Sequence, residues 1–242
     1  MPERRPAGPT PSAVIEDYLR GIHAIEEVGG SPAATTDLAR RLGVSVSAVS
    51  GMVRRLSAAG LVDHRRYGRL ALTDEGRRAA LGVVRRHRLI ETFLVEVLGY
   101  GWDEVQDEAE VLEHAVSDRL LARMAELLGH PGRDPHGDPI PGPDGTVVAE
   151  ATQPLSALPA GTACRLVRVL DAPGDLLRWL SDEGVGLGES LVVGSWDPGG
   201  TLPVRLREPG RILRLGPSAA ARLQVTVADD AGPVPGPGRA GR

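Results

Sequence analysis

The chain has 242 residues, of which 41% are hydrophobic and 25% are charged, which is typical of a folded globular protein and excludes a disordered one. It contains no uncharged apolar run of about 18 residues that would predict a transmembrane helix. A single cysteine, Cys164, excludes a disulfide scaffold. Residues 1–10 lack the apolar stretch of a secretory signal, so we expect a cytoplasmic protein.

Charge is distributed unevenly along the chain, although the net charge is only −4. Residues 40–69 contain seven arginines and one acid, whereas residues 103–113 contain six acids and no base. The basic stretch suits a polyanion, and the acidic stretch suits either solvent or a metal ion. Aromatic residues make up 3%, too few for the stacking platforms that bind single-stranded nucleic acid.

Two helices are predicted at the N-terminus. Apolar residues recur at helical spacing over residues 11–27, and a short second helix is predicted over residues 36–42. Either Thr35 or Thr36 is expected to cap the second helix, and Gly43 is expected to make a tight turn after it.

A third helix and a β-hairpin follow this turn. Ser45 or Ser47 is expected to cap the helix, which ends at Gly60. The extended stretches 61–64 and 70–72 flank a turn and predict a hairpin. This order of elements is typical of a winged helix-turn-helix, which binds DNA.

The third helix is the predicted recognition helix, whose first turn would face base edges in the major groove. Its small hydroxyl side chains carry little sequence information, whereas arginines there and on the wing would neutralise phosphates. The alternative is a structural three-helix unit whose arginines form a solvated face. The predicted DNA-binding residues are Ser45, Ser47, Ala48, Ser50, Gly51, Arg54, Arg65, Arg66 and Arg69.

Helices dominate the middle of the chain. A long helix is predicted over residues 73–98, and two shorter ones over residues 102–116 and 117–128. The stretch 130–145 is rich in proline and glycine and is predicted to be a linker.

Short alternating runs over residues 146–227 predict the strands of a small β-barrel, with one short helix near 174–180. The fold class is therefore α+β. We expect a winged helix-turn-helix domain over 1–75, a helical domain over 76–143, a small barrel domain over 144–229, and a disordered tail over 230–242.

Potential metal ligands lie on the predicted helices. Glu110, Glu113 and His114 have the spacing that places three side chains on one helix face, and His87 and Glu91 form an i,i+4 pair on the long helix. Asp17 could complete a site if the first helix packs across them. Such oxygen-rich donors with one or two imidazoles suit Mn²⁺ or Fe²⁺. The alternative is that these acids are simply solvated.

Several short motifs resemble the diphtheria toxin repressor and manganese transport regulator family of metal-dependent repressors. The resemblance runs over residues 11–143, and the last 80 or so residues resemble the SH3-like barrel of longer members. It implies that 76–143 form a metal-binding and dimerisation domain and that 144–229 form an SH3-like (FeoA-like) domain. The motifs are Glu16-Asp17-Tyr18-Leu19, Arg86-His87-Arg88-Leu89-Ile90-Glu91, Asp107-Glu108-Ala109-Glu110, Glu113-His114-Ala115-Val116-Ser117-Asp118 and Pro135-His136-Gly137-Asp138-Pro139-Ile140-Pro141.

The resemblance implies a main metal site and an adjoining one. The main site would use Asp17, Glu110, Glu113 and His114, and the adjoining site would use His87 and Glu91. Three further positions bear on the adjoining site: Gln106, where iron regulators have a histidine, and Asp171 and Asp175, which are the barrel-domain candidates. Arg20 occupies a position where some manganese regulators have a second carboxylate on the first helix.

The family also implies a dimer that binds a near-palindromic DNA operator when its metal is bound. Iron-responsive members have methionine and cysteine in place of Asp17 and Glu110, so carboxylates here favour Mn²⁺ over Fe²⁺. An iron-dependent repressor is the nearest alternative. Two further alternatives are a metal-independent regulator that senses an organic ligand in its barrel and a metal-dependent hydrolase with Glu91 as base. We expect that the protein is not an enzyme.

Overall fold

The computed structural model describes residues 13–29, 32–65, 69–148, 150–171, 173–207 and 210–227, and it confirms the α+β fold class. Arg66 and the predicted disordered tail over 230–242 lie outside these residues. In this described part of the chain, no helix is long and apolar enough to span a bilayer. The residues form two compact units.

The first unit comprises Met1–His87, Glu110–Ala122 and Pro141–Val147, within the described ranges. Its N-terminal part contains three helices and a three-stranded antiparallel sheet in the order β1-β3-β2. The elements are α1 (Ala13–Gly29), β1 (Ala33–Ala34), α2 (Thr35–Leu42), α3 (Val46–Ala58), β2 (Val62–Arg65) and β3 (Arg69–Leu72).

The turn between α2 and α3 is the predicted one. Gly43 has a φ of 65°, a conformation that favours glycine, and its N–H closes α2 by donating to the carbonyl oxygens of Ala39 and Arg40. The prediction that Thr35 or Thr36 caps α2 is wrong, because Ala34 occupies the capping position and makes no side-chain hydrogen bond. Ala34 is the last residue of β1, and the pairing of β1 with β3 fixes its position.

Buried residues at helical spacing hold α3 in place. Val49, Val53 and Leu56 are at most 2% exposed and pack in one apolar core with Leu19 and Ile22 of α1. Burial of a side chain of this size contributes about 1.5–3 kcal/mol. The orientation of α3 is therefore set by this shared core together with its contacts to α2 and β2.

Three further helices supply residues to both units: α4 (Asp74–Glu96), α5 (Val105–Leu112) and α6 (Asp118–Leu127). The predicted helix over 102–116 is too long, since α5 ends at Leu112. The Leu112 carbonyl oxygen accepts N–H groups from Ala115 and Val116 at 2.9 and 3.0 Å, which closes a turn after the helix. Ser117 then caps α6 by accepting the N–H of Leu120.

The second unit comprises Arg88–Ala109, Arg123–Ile140 and Val148–Arg242, within the described ranges. Its sheet has six antiparallel strands in the order β4-β9-β5-β6-β7-β8. The elements are β4 (Gln153–Pro154), β5 (Ala163–Val169), α7 (Gly174–Asp182), β6 (Ser190–Val193), β7 (Leu202–Leu206), β8 (Ile212–Leu215), α8 (Pro217–Arg222) and β9 (Leu223–Val227).

Alternate residues of these strands form the core of this unit, as the period of a β-strand requires. Leu202, Val204 and Leu206 of β7 are all at most 2% exposed and pack in one cluster with Leu166 and Cys164 of β5. The short helix expected near 174–180 is confirmed as α7, whereas α8 was not predicted.

The prediction of a linker over residues 130–145 is wrong for its first half, which is an ordered part of the second unit. Asp134, His136 and Ile140 are buried. The Asp134 carboxylate accepts the N–H groups of His136 and Asp138, each at 2.9 Å, so a local hydrogen-bond network fixes the segment. The prolines and glycines shape a turn here.

Candidate metal centre and nucleic-acid interface

The first metal-binding candidate lies in the first unit and joins α1 to the turn after α5. Asp17, Glu113 and His114 each offer one ligand atom, and these atoms lie within 4.8 Å of one another. His114 Nε2 is 3.0 Å from Asp17 Oδ1 and 3.3 Å from Glu113 Oε1. We call these three residues the first cluster.

Glu113 is the most deeply buried member of the first cluster, with 1% of its surface exposed. Its Oε1 makes no hydrogen bond to any residue that the structure describes, whereas Oε2 is 2.7 Å from His87 Nδ1. A buried carboxylate oxygen without a hydrogen bond is costly unless a positive charge compensates it, and the Arg20 guanidinium does so only from 3.6 Å, beyond hydrogen-bonding distance. The residues of the first cluster therefore fit a divalent cation.

His87 and Glu110 surround this cluster without belonging to it. His87 contacts Glu113, as a residue that orients a metal ligand would do. Glu110 Oε1 instead accepts a hydrogen bond from Arg20 Nη2 at 2.9 Å. The structure thus brings together Asp17, Glu113 and His114 and places Glu110 beside a guanidinium.

Glu113 and His114 do come together, but not on one face of a helix as the sequence predicts. Glu113 and His114 lie in the turn beyond Leu112, where two consecutive side chains can reach the same point. On a continuous helix they would diverge by about 100°.

A second group of possible ligands lies in the second unit. Glu91, Asp134 and His136 offer atoms within 4.8 Å of one another, and His136 Nδ1 is 3.8 Å from Glu91 Oε1. We call these residues the second cluster. Asp134 and His136 were missed because they fall in the stretch predicted as a linker. The sequence feature that could have indicated these ligands is the Pro135-His136-Gly137 motif, in which a histidine lies between two residues typical of turns.

The remaining predicted metal residues lie outside both clusters. Gln106 is exposed on α5. Asp171 has a φ of 43°, and its carboxylate is 3.7 Å from Arg222 Nη1. Asp175 lies in the first turn of α7, where its Oδ1 accepts the N–H of Leu176, and it lines a cavity of about 350 Å³.

Asp134 should make the stability of the metal-free protein depend on pH. Burial and the nearby carboxylates of Asp138 and Glu91 raise its pKa well above the ordinary value, against the opposing effect of Arg88. The folded state then binds this proton more tightly than the unfolded state does. The free energy of unfolding should therefore fall as pH rises above about 4, the pKa of an unfolded aspartate.

Urea unfolding of metal-free wild type and Asp134→Asn between about pH 4 and pH 8 tests this expectation. The asparagine variant should have the flatter profile, because its amide cannot ionise. Asp182→Asn, an exposed change in the same unit, is the control and should follow the wild type. Parallel profiles for wild type and Asp134→Asn would contradict it.

The predicted DNA-binding serines begin α3. Ser45 Oγ caps the helix by accepting the N–H of Ala48 at 3.2 Å and lies 2.9 Å from Ser47 Oγ. Ser50 Oγ donates to the Val46 carbonyl oxygen at 2.9 Å. Ser45, Ser47, Ala48 and Ser50 are exposed and Gly51 is partly exposed. A Cβ added at Gly51 would meet nothing within 4 Å.

The predicted DNA-binding arginines that the structure describes lie on α3 and on the two strands of the hairpin. Arg54 is exposed on α3, and Arg69 on β3 donates to the Pro32 carbonyl oxygen at 2.9 Å. Arg65 lies at the end of β2. An exposed recognition helix with arginines on it and on the adjoining hairpin is the arrangement that neutralises DNA phosphates.

Family models match most of the chain. Residues 12–70 match the N-terminal DNA-binding domain of iron-dependent repressors, and residues 73–142 match their metal-binding and dimerisation domain. Residues 153–227 match the FeoA domain. The iron-dependent repressor IdeR of Mycobacterium leprae is 36% identical over 182 residues, which cover 70% of this chain and 79% of the relative.

The chain belongs to the diphtheria toxin repressor family of metal-dependent repressors. The diphtheria toxin repressor of Corynebacterium diphtheriae is 37% identical over 163 residues, covering 67% of this chain and 68% of the relative. A solved structure described as a manganese-dependent transcriptional repressor in complex with manganese is 47% identical. It has a TM-score of 0.84 and covers 88% of this chain and 100% of that one. The expected family is thereby confirmed.

Proposed function

We propose that this chain is a manganese-responsive transcriptional repressor that binds a near-palindromic operator as a homodimer when Mn²⁺ occupies the first cluster. The proposal rests on the donor set of Asp17, Glu113 and His114, which contains two carboxylates, one imidazole and no sulfur. Cys164, the single cysteine of the chain, is buried in the core of the second unit. Hard oxygen donors favour Mn²⁺ over softer ions.

The geometry indicates how this site would act on DNA binding. Asp17 lies on α1, 97 residues from His114. Leu19 and Ile22 of α1 share one apolar core with the recognition helix α3, and α2 contacts both helices. A divalent cation would supply the positive charge that holds these mutually repelling carboxylates together. Asp17 would then fix α1, and α1 would act on α3 through α2 and the shared apolar core.

This coupling must be reciprocal, because metal that favours the DNA-binding state is itself favoured by DNA. An ordinary coupling raises DNA affinity roughly 5–150-fold. In a homodimer, two copies of α3 spaced by one turn of DNA, about 34–36 Å, would read a near-palindromic operator.

Fluorescence anisotropy with duplexes from the protein's own promoter region tests the proposal. Mn²⁺ and, anaerobically, Fe²⁺ are titrated at fixed salt against wild type and Glu110→Cys. We expect Mn²⁺ to give the larger gain in DNA affinity at saturation, because affinity alone follows the order Mn²⁺ < Fe²⁺ and selection must come from the geometry of the loaded site. Glu110 borders the first cluster and is paired with Arg20, so Glu110→Cys removes this ion pair and places a softer donor beside the cluster. The metal preference should therefore shift towards Fe²⁺.

Glu108→Cys is the matched control, since it places a thiol on an exposed position of the same helix. It should retain the wild-type metal preference. A wild type for which Fe²⁺ gives the larger gain in DNA affinity at saturation would be an iron-dependent repressor. DNA binding that ignores both metals would overturn the proposal and favour an organic ligand.

A further inference from the structure

One cation of the protein already lies against the first cluster. Arg20 follows Asp17 by one turn of α1, and its side chain is 21% exposed. Its Nη2 donates to Glu110 Oε1 at 2.9 Å, its Nε is 3.6 Å from Glu113 Oε1, and its Nη1 is 3.3 Å from His87 Nδ1. The guanidinium thus contacts three groups that could otherwise face a metal ion.

The charges around the first cluster balance with a single divalent cation. Arg86 Nη2 lies 2.7 Å from Glu16 Oε1, and Glu16 Oε2 lies 2.9 Å from His114 Nδ1. Four carboxylates and two guanidinium groups carry a formal net charge of −2. The groups counted are Glu16, Asp17, Glu110, Glu113, Arg20 and Arg86.

We propose that Arg20 is a resident cation that takes the place of a second metal ion and limits the first cluster to one divalent ion per subunit. This inference rests on the proposed function. A second ion would need to share carboxylates with the first at about 3.5–4 Å. Glu110 is the remaining carboxylate on that side, and Arg20 already binds it.

Arg20 cannot yield this position by losing its proton. A guanidinium stays charged at any physiological pH, and it has no lone pair with which to bind a metal. It therefore repels a second cation while it neutralises Glu110. Arg20→Glu reverses both effects, since it adds a ligand and changes the local net charge from −2 to −4, which two divalent ions would balance.

The test counts bound Mn²⁺ on the full chain by equilibrium dialysis, in a His136→Ala background that disables the second cluster. Low-temperature electron paramagnetic resonance of the same samples reports whether two ions share ligands. We expect one magnetically isolated ion per chain in the protein that retains Arg20. The same result is expected for Arg20→Lys, which keeps the charge. Arg20→Glu should bind two ions with an exchange-coupled spectrum.

Two results would overturn the inference and leave the proposed function intact. One is a coupled pair of ions with Arg20 present, and the other is a single ion in a folded Arg20→Glu protein. If that variant does not fold, Arg20→Gln replaces it and should bind a second ion at higher Mn²⁺, whereas a single ion at saturation contradicts the inference. A wild-type first cluster that binds no Mn²⁺ would instead refute the proposed function.

Discussion

Replacing Glu113 by glutamine should abolish the response of DNA binding to Mn²⁺. The amide keeps the size of the side chain and its reach to His87, but it removes the buried negative charge that faces Asp17 and His114. Loss of a residue that merely orients a ligand lowers metal affinity roughly 10–100-fold, and loss of a charged ligand should cost more. The metal-dependent gain in DNA affinity, roughly 5–150-fold, should then disappear.

Isothermal titration with Mn²⁺ and anisotropy with operator DNA measure the two effects of this change. Glu108→Gln, an exposed carboxylate on α5, is the matched control and should behave as the wild type. The thermal midpoint of the metal-free variant should not fall, because a buried charge has been removed. Retention of the Mn²⁺ response in Glu113→Gln would show that the first cluster is not the regulatory site.

Substitution of Gly76 by alanine should destabilise the first unit more than any other single methyl group added to α4. A Cβ at Gly76 would lie 1.9 Å from the Leu61 carbonyl oxygen and 2.9 Å from its carbonyl carbon. Both are backbone atoms, and Thr73 fixes them there by donating its N–H to Leu61 and its hydroxyl to Gly60. Overpacking of this kind costs about 1–3 kcal/mol or more.

Gly82→Ala on the same helix provides the control for this prediction. Its Cβ would meet nothing within 4 Å, so the change should stabilise the protein by about 0.5–1 kcal/mol through the helix propensity of alanine. Urea unfolding should therefore shift the two midpoints in opposite directions. Equal midpoints would mean that the hairpin moves away from α4 without cost.

The helices and strands of this protein could be predicted because their apolar residues recur at the spacing of a helix face or of a strand face. Leu19 and Ile22 of α1, and Val49, Val53 and Leu56 of α3, are buried at the spacing of a helix face. Along strand β7, buried residues alternate with more exposed ones, at the two-residue period of a strand. Gly43 was equally predictable, because a left-handed turn between helices favours glycine.

Where helices end was much harder to predict. The pattern of Glu110, Glu113 and His114 fits a continuous helix as well as a helix followed by a turn. Only the carbonyl of Leu112, which accepts two N–H groups, decides between them. Backbone hydrogen bonds at helix ends leave little trace in the side-chain sequence.

Composition was misleading where polar groups are buried. The segment around Asp134 and His136 has the prolines and glycines of a linker, yet an internal network of hydrogen bonds to Asp134 orders it. The position of Arg20 beside Glu110 was likewise invisible, because these residues are 90 positions apart in the chain. Contacts between distant segments depend on the packing of the whole unit.

The hydroxyl groups at the start of α3 bear on how an operator would be recognised. Ser45 and Ser50 already bond to the backbone of their own helix, which reduces what they can offer to base edges. Val46 beside them is 47% exposed, a side chain suited to thymine methyl groups. Apolar contact and the local width and flexibility of the duplex would then contribute more to sequence preference. We therefore expect operators that differ in sequence but share a deformable shape to be bound with similar affinity.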